Sequence, residues 1–149
     1  MLIGEYIHTV DGKNRVSLPS KFRKEMGKSV IVTPGLDKCL FVFTAKEWAK
    51  VSKRLSNTES DLSFLQADKR SFNRFMFGRA AEVEVDSIGR ILIPDFLKER
   101  AGIAGKAAVI GVEDRVEIWN VDMWAEYKDR IEKEADQLAE KLASENRQQ

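Results

Sequence analysis

The sequence predicts an α+β fold, mostly strand with short helices, in which two related half-domains close one core between them. Two observations carry that prediction. The first is a repeat: Val10-Asp11-Gly12-Lys13-Asn14-Arg15-Val16-Ser17-Leu18-Pro19 returns as Val85-Asp86-Ser87-Ile88-Gly89-Arg90-Ile91-Leu92-Ile93-Pro94, with Asp, Arg and Pro in register. The match continues downstream, where Val30-Ile31-Val32 answers Ala108-Val109-Ile110, Leu40 to Phe43 answers Val116 to Trp119, and Trp48 answers Trp124. The second is size. A chain of 149 residues fits one domain that buries roughly 70% of its unfolded surface without disulfides or metals, and two copies are fewer than the ~3 repeats a solenoid needs.

Each copy is expected to open as a β-hairpin. Glu82, Val83, Glu84 and Val85 alternate at period two, Asp86 to Gly89 supplies turn chemistry, and Arg90 to Ile93 resumes an apolar strand. Asp suits the first turn position because its carboxylate can accept backbone N–H groups two residues on, and Gly89 suits a positive φ. Asn14, the next most tolerant residue, takes that place in the first copy. Pro19 and Pro94 end the return strands. Short helices follow, with Ser20 and Asp95 as expected N-caps and Gly27 and Gly102 at their ends. Strands are then expected around Val30 to Thr33 and Leu40 to Thr44, and around Ala107 to Val112 and Val116 to Trp119. Thr44-Ala45-Lys46-Glu47 is a capping box that opens a closing helix, and Asn120 caps its counterpart. The order is therefore ββαββα, twice.

Within this single domain, 1–149, the first repeat is read as 1–56, an inserted helical segment as 57–79, the second repeat as 80–124 and a C-terminal helix as 120–149. In the insert, Leu62, Leu65, Phe72, Phe75 and Met76 recur at helical spacing, with a break near Asp68. The aromatic run Phe72, Phe75 and Phe77 is read as core, with a subunit contact as the alternative. Trp124, Tyr127, Ile131, Ala135, Leu138 and Leu142 form an a/d seam on an otherwise charged helix. It either packs across the core with a frayed end or serves assembly, and Ser144 to Gln149 is expected to be disordered.

The formal charge of +1 conceals an uneven distribution. Residues 1–28 carry Lys13, Arg15, Lys21, Arg23, Lys24 and Lys28 against Glu5, Asp11 and Glu25; residues 82–106 carry Glu82, Glu84, Asp86, Asp95 and Glu99 against Arg90, Lys98, Arg100 and Lys106. The first copy is thus the one suited to an anionic polymer. Catalysis finds little support: His8 is the only histidine and Cys39 the only cysteine, which excludes a His or Cys/His zinc site, and no Gly-rich phosphate loop is present. No cofactor, metal or small-molecule substrate is expected. The lone Cys39 makes a reducing, cytoplasmic compartment the expectation. No run approaches the roughly 18 apolar residues of a membrane span, and Glu5 and His8 interrupt any signal-peptide pattern.

A two-stranded ribbon fits the DNA major groove, and an Arg at its turn can bond guanine O6 and N7 together. Arg15 is the candidate for that contact. Lys13 on the turn tip suits a base or a phosphate, Lys21, Arg23 and Lys24 read as phosphate contacts, and Asp11 orients the turn. An intramolecular Asp11–Arg15 ion pair with no partner is the competing reading. The charge contrast between the copies favours DNA, whereas Asp86 and Arg90 read as structural, and apolar Ile88 suits a subunit contact.

The doubled Asp-x-x-x-Arg with its trailing Pro, together with Gly4 and Phe22-Arg23, resembles the MraZ family of bacterial proteins built from two AbrB-like units. The match spans essentially residues 1–142. The resemblance implies a double-split β-barrel, a ring-shaped homo-oligomer, nucleoid association, and repression at the promoter of the division and cell-wall gene cluster in which the family is encoded. Double-stranded DNA bearing direct repeats is the implied partner, read by neighbouring hairpins. Asn14 departs from the Gly common before the first Arg in that family. Two alternatives stand: an oligomeric protein-interaction scaffold, and an antitoxin-like AbrB-type regulator, which the duplicated unit disfavours.

Overall fold

The computed structural model describes residues 1–56 and 63–147. Eight strands and five helices follow one another as β1 (Leu2–Thr9), β2 (Arg15–Ser17), α1 (Ser20–Met26), β3 (Ser29–Pro34), β4 (Leu40–Thr44), α2 (Ala45–Ser56), α3 (Ala67–Met76), β5 (Ala81–Glu84), β6 (Arg90–Leu92), α4 (Asp95–Ala101), β7 (Lys106–Glu113), β8 (Val116–Trp119) and α5 (Val121–Arg147), with a 3-10 turn at Ser63–Leu65 before α3. Helix α3 starts after Gln66, close to the expected break at Asp68. Leu62, assigned to the same helix from its spacing, lies outside the described residues.

The strands form a six-stranded antiparallel sheet, β1-β7-β8-β4-β3-β5, and a two-stranded sheet, β2-β6. Exchanging the two halves of the chain turns the first order into its own reverse and maps β2 onto β6. That is the order a twofold axis between β4 and β8 requires. Both halves feed one core, in which Leu2, Val16, Leu18, Phe22, Val30 and Leu40 meet Ile91, Ile93, Leu97, Val109 and Ile118.

The expected hairpins are corrected. Strand β1 pairs along its whole length with β7, from Leu2↔Glu113 to Thr9↔Lys106. Strand β2 pairs with β6 through Arg15↔Leu92, Val16↔Ile91 and Ser17↔Arg90. Between the two opening strands of each copy only single bridges remain, Val10↔Val16 and Val85↔Ile91. Strand exchange pairs one edge of each opening strand with a strand of the other half, and it leaves Val16 and Ile91 facing each other with no solvent exposure. The close approach of β1 to β7 depends on Gly111, where a Cβ would sit 2.6 Å from Leu2 C and Ile3 N. Gly111→Ala is expected to cost about 1–3 kcal/mol through backbone displacement, read as a lower midpoint in thermal unfolding.

Local signals fare unevenly. Gly27 and Gly102 end their helices at φ 77 and 63. Thr44 accepts the Glu47 N–H at 3.0 Å, and Asn120 accepts that of Met123 at 3.0 Å. Ser20 and Asp95, expected as caps, are instead the first helical residues, preceded by Pro19 and Pro94. Proline in the cap position fixes the entry φ, and the Asp95 carboxylate is drawn elsewhere.

The aromatic run is not core. Phe72 is exposed, Phe75 lies under the Arg100 guanidinium at 4.9 Å, and Phe77 packs against Trp48 at 5.3 Å; only Met76 of α3 is buried. Helix α5 begins against the sheet, where Trp124 and Tyr127 pack on Trp119 at 5.3 and 5.0 Å. Glu5 of β1 accepts from Trp124 Nε1 at 2.7 Å and Lys128 Nζ at 3.0 Å, which holds its carboxyl below the usual range, the Lys128 bond acting most. From Glu132 onward every described residue is exposed, yet the helix continues to Arg147. The expected disorder from Ser144 is corrected to that extent: charged, helix-favouring residues keep the last turns wound.

Candidate nucleic-acid interface

Each Asp-x-x-x-Arg segment closes a tight turn through its aspartate. Asp11 Oδ1 accepts the N–H of Lys13 and of Arg15, both at 2.9 Å, while Oδ2 accepts Arg15 Nε at 2.8 Å. Asp86 repeats the pattern with Ile88 N at 3.1 Å, Arg90 N at 2.8 Å and Arg90 Nε at 2.7 Å. The left-handed position that each turn demands is filled by Asn14 at φ 61 and Gly89 at φ 83, as their residue types foretell.

These bonds set the electrostatics. The Arg15 N–H above all, with the Lys13 N–H and the Arg15 side chain, holds the Asp11 carboxyl below its usual range against the opposing effect of burial. Asp86 is held down in the same way, first by the Arg90 N–H. A carboxyl whose pKa is lowered on folding stabilises the fold above its unfolded value of 3.8 and loses that contribution as pH falls through the folded value. Acidification below about pH 4 is therefore expected to loosen both turns together. Carboxyl-detected NMR titration of Asp11 and Asp86 checks this, with two depressed midpoints as the expected result.

The ion pair and an outward-directed arginine coexist. The carboxylate engages Nε of Arg15, and among the described residues its two Nη atoms make no hydrogen bond. The aspartate thereby fixes the plane of the guanidinium, whose terminal nitrogens form the fork that matches a bidentate acceptor. The two turns also adjoin: Arg90 Nη1 lies 3.8 Å from Asp11 Oδ2. Because Val16 and Ile91 point into the core, Arg15, Ser17, Arg90 and Leu92 share the outer side of the two-stranded sheet.

Strand exchange reassigns the surrounding cations. Basic residues were expected to gather around the first turn, but α1 packs on the second. Arg23 Nε donates to the Leu18 carbonyl at 3.2 Å, Leu18 N donates to the Gly89 carbonyl at 2.8 Å, and a Cβ on Gly89 would lie 2.1 Å from Arg23 Nε. Burial, with the nearby Arg23 charge second, keeps the His8 imidazole below its usual pKa. Lys21 and Lys24 are exposed on the same helix, and Lys13 is exposed on the first turn tip. The first turn abuts α4 instead. Asn14 Nδ2 donates to Asp95 Oδ1, Lys98 Nζ donates to Asn14 Oδ1 at 2.7 Å, and Ile93 N donates to the Asn14 carbonyl at 2.8 Å. Asp95 and Lys98 were missed as neighbours of this turn because nothing local in the sequence joins residues 14 and 98.

Among the described residues no cluster of three or more His, Cys, Asp or Glu side chains could hold a metal ion, and no helix is long and apolar enough to cross a membrane. Cys39 is buried, its thiol donating to the Leu36 carbonyl at 3.2 Å, and burial pushes its pKa well up.

The chain matches the family model described as "MraZ protein, putative antitoxin-like" twice, over residues 1–75 and 76–146. It is 46% identical over 143 residues to the transcriptional regulator MraZ of Acetivibrio thermocellus, covering 96% of this chain and 97% of that protein. The transcriptional regulator MraZ of Caldanaerobacter subterraneus subsp. tengcongensis is 44% identical over 142 residues, with 95% and 96% covered. That of Desulforamulus reducens is likewise 44% identical over 142 residues, with 95% and 97% covered. With both Asp-x-x-x-Arg turns formed alike and both matched by the family model, the chain belongs to the MraZ family.

Proposed function

We propose that this protein is a sequence-specific DNA-binding transcriptional regulator whose first turn reads bases through Arg15. The observation that carries the reading is Arg15 on a turn tipped by exposed Lys13: Asp11 holds Nε while the terminal nitrogens carry no hydrogen bond among the described residues, whereas Arg90, held alike by Asp86, sits on a turn tipped by apolar Ile88. Lys13 serves the same contact from the turn tip, and Lys21 and Lys24 neutralise phosphates. Arg23, tied to Leu18 and lying over Gly89, contributes charge from beside the second turn. The names of the relatives, transcriptional regulator MraZ, support regulation of transcription.

The finer parts of the reading are these. The two sheets together form a double-split barrel; the bridges Val10↔Val16 and Val85↔Ile91, which join the edge strands β1 and β5 to the β2-β6 pair, support it. The domain divides as 1–56, 57–79, 80–124 and 120–149. Subunits assemble into a ring whose repeated turns read direct repeats in promoter DNA, gaining avidity through effective concentration. Exposed Ile3, Ile7, Ile88 and Leu142 supply apolar surface for assembly. The regulated target is the protein's own division and cell-wall gene cluster, where binding represses, and the protein is cytoplasmic and nucleoid-associated. A second reading, an oligomeric interaction scaffold, is favoured by one observation, the exposed helix beyond Glu132.

Fluorescence anisotropy on DNA from upstream of the protein's own gene and on scrambled DNA, at two salt concentrations, separates the two readings. The regulator prefers its own DNA, and its affinity falls with a slope of about −0.9 per phosphate neutralised. A scaffold binds both DNAs alike.

A further inference from the structure

The two turns are held by the same position of opposite helices, in two different chemical forms. In the repeat register Asn14 corresponds to Gly89 and Lys98 to Arg23. At the second turn the brace is a side chain lying on bare backbone: Gly89 is buried, and the Arg23 side chain fills the space that a Cβ would need. At the first turn the brace is polar: Asn14 spans the gap itself, donating to Asp95 and accepting from Lys98 at 2.7 Å.

Neither form is needed to close its turn. The aspartate already satisfies the turn N–H groups, and glycine adopts φ 61 more readily than asparagine does. What the polar brace adds is attachment. It locks the residue immediately before Arg15 to the rigid start of α4, across the interface between the two halves of the chain.

We propose that Asn14, Asp95 and Lys98 are positioning residues that fix the first turn, and with it Arg15, in the orientation that reads DNA. This rests on the assignment of base reading to Arg15. Lys98 is thereby occupied as a structural cation, and the base-reading arginine of one repeat is aimed by the short helix of the other. Asn14 thus reaches a Lys where the second turn meets an Arg.

The pseudo-symmetry supplies the test. Asn14→Gly removes the polar brace and leaves the turn conformation accessible. Asn14→Gly with Lys98→Arg rebuilds the brace in the form found at Gly89 and Arg23. Anisotropy on own-upstream and scrambled DNA is measured at a temperature where melting curves show each variant folded, with Arg15→Ala alongside. Asn14→Gly is expected to lose about tenfold in the ratio of own to scrambled affinity, the scale of a hydrogen bond to a charged group, and the double variant to recover most of it. Preference retained by Asn14→Gly, or lost and not recovered in the double variant, overturns the brace. If Arg15→Ala keeps the preference as well, the base-reading assignment itself fails, a result distinct from failure of the brace alone.

Discussion

Arg15→Ala is expected to fold as the wild type does and to lose its preference for its own upstream DNA. One bidentate contact to guanine is worth about 1–3 kcal/mol of discrimination, or roughly 5- to 150-fold in affinity. The effect on stability is small because both partners of the Asp11–Arg15 pair are about one-third exposed, at 34% and 30%, and such pairs contribute little. Arg15→Lys should not rescue the preference. Lysine restores the charge but presents a single ammonium where the geometry holds a planar fork. Anisotropy reads the outcome directly: affinity for scrambled DNA falls modestly, and affinity for own DNA falls to meet it.

Phe22→Ala is expected to have the largest effect on stability. Phe22 is fully buried, meets the Tyr6 ring edge-on at 5.6 Å, and has its Cζ where a Cβ on Gly111 would come within 2.8 Å. It anchors α1 to both β1 and β7, one strand from each half. Truncation should cost about 3–5 kcal/mol through lost burial and the cavity left behind, a large share of the ~5–15 kcal/mol available to a domain. Urea unfolding is the measurement, with the midpoint lowered and the slope retained. DNA binding should fall with it, since Lys21 and Lys24 lose their anchored helix. An unchanged midpoint would mean that the two halves do not share one core.

Much of this architecture can be read locally. The turn chemistry of Asp11 and Asp86, the left-handed positions of Asn14 and Gly89, and the helix ends at Gly27 and Gly102 depend on residues within one turn of each other. Strands β4 and β8 emerge with their expected bounds for the same reason. What escapes a local reading is pairing. The alternation of Glu82 to Val85 declares one buried face, but it does not say which strand will satisfy the edge, and the edge decides whether a copy closes on itself or exchanges with the other. That single ambiguity moved Arg23 from the first turn to the second and brought Lys98 to Asn14. The cap expected at Asp95 does not form for a related reason, since its carboxylate accepts from Asn14, far away in sequence. The aromatic insert failed differently: Phe75 and Phe77 are covered by Arg100 and Trp48 at the surface, so helical spacing identified a packed face without identifying a core.

Guanine methylation interference on the protein's own upstream DNA tests base reading by Arg15 most directly. A methyl group on N7 blocks the major-groove acceptor that a bidentate arginine requires while leaving the phosphates untouched. The expected result is that N7 methylation at guanines within the bound sites abolishes binding of the wild type, and that Arg15→Ala is insensitive to the same modification. Interference that is absent at every guanine, or identical for wild type and Arg15→Ala, would contradict base reading through this turn.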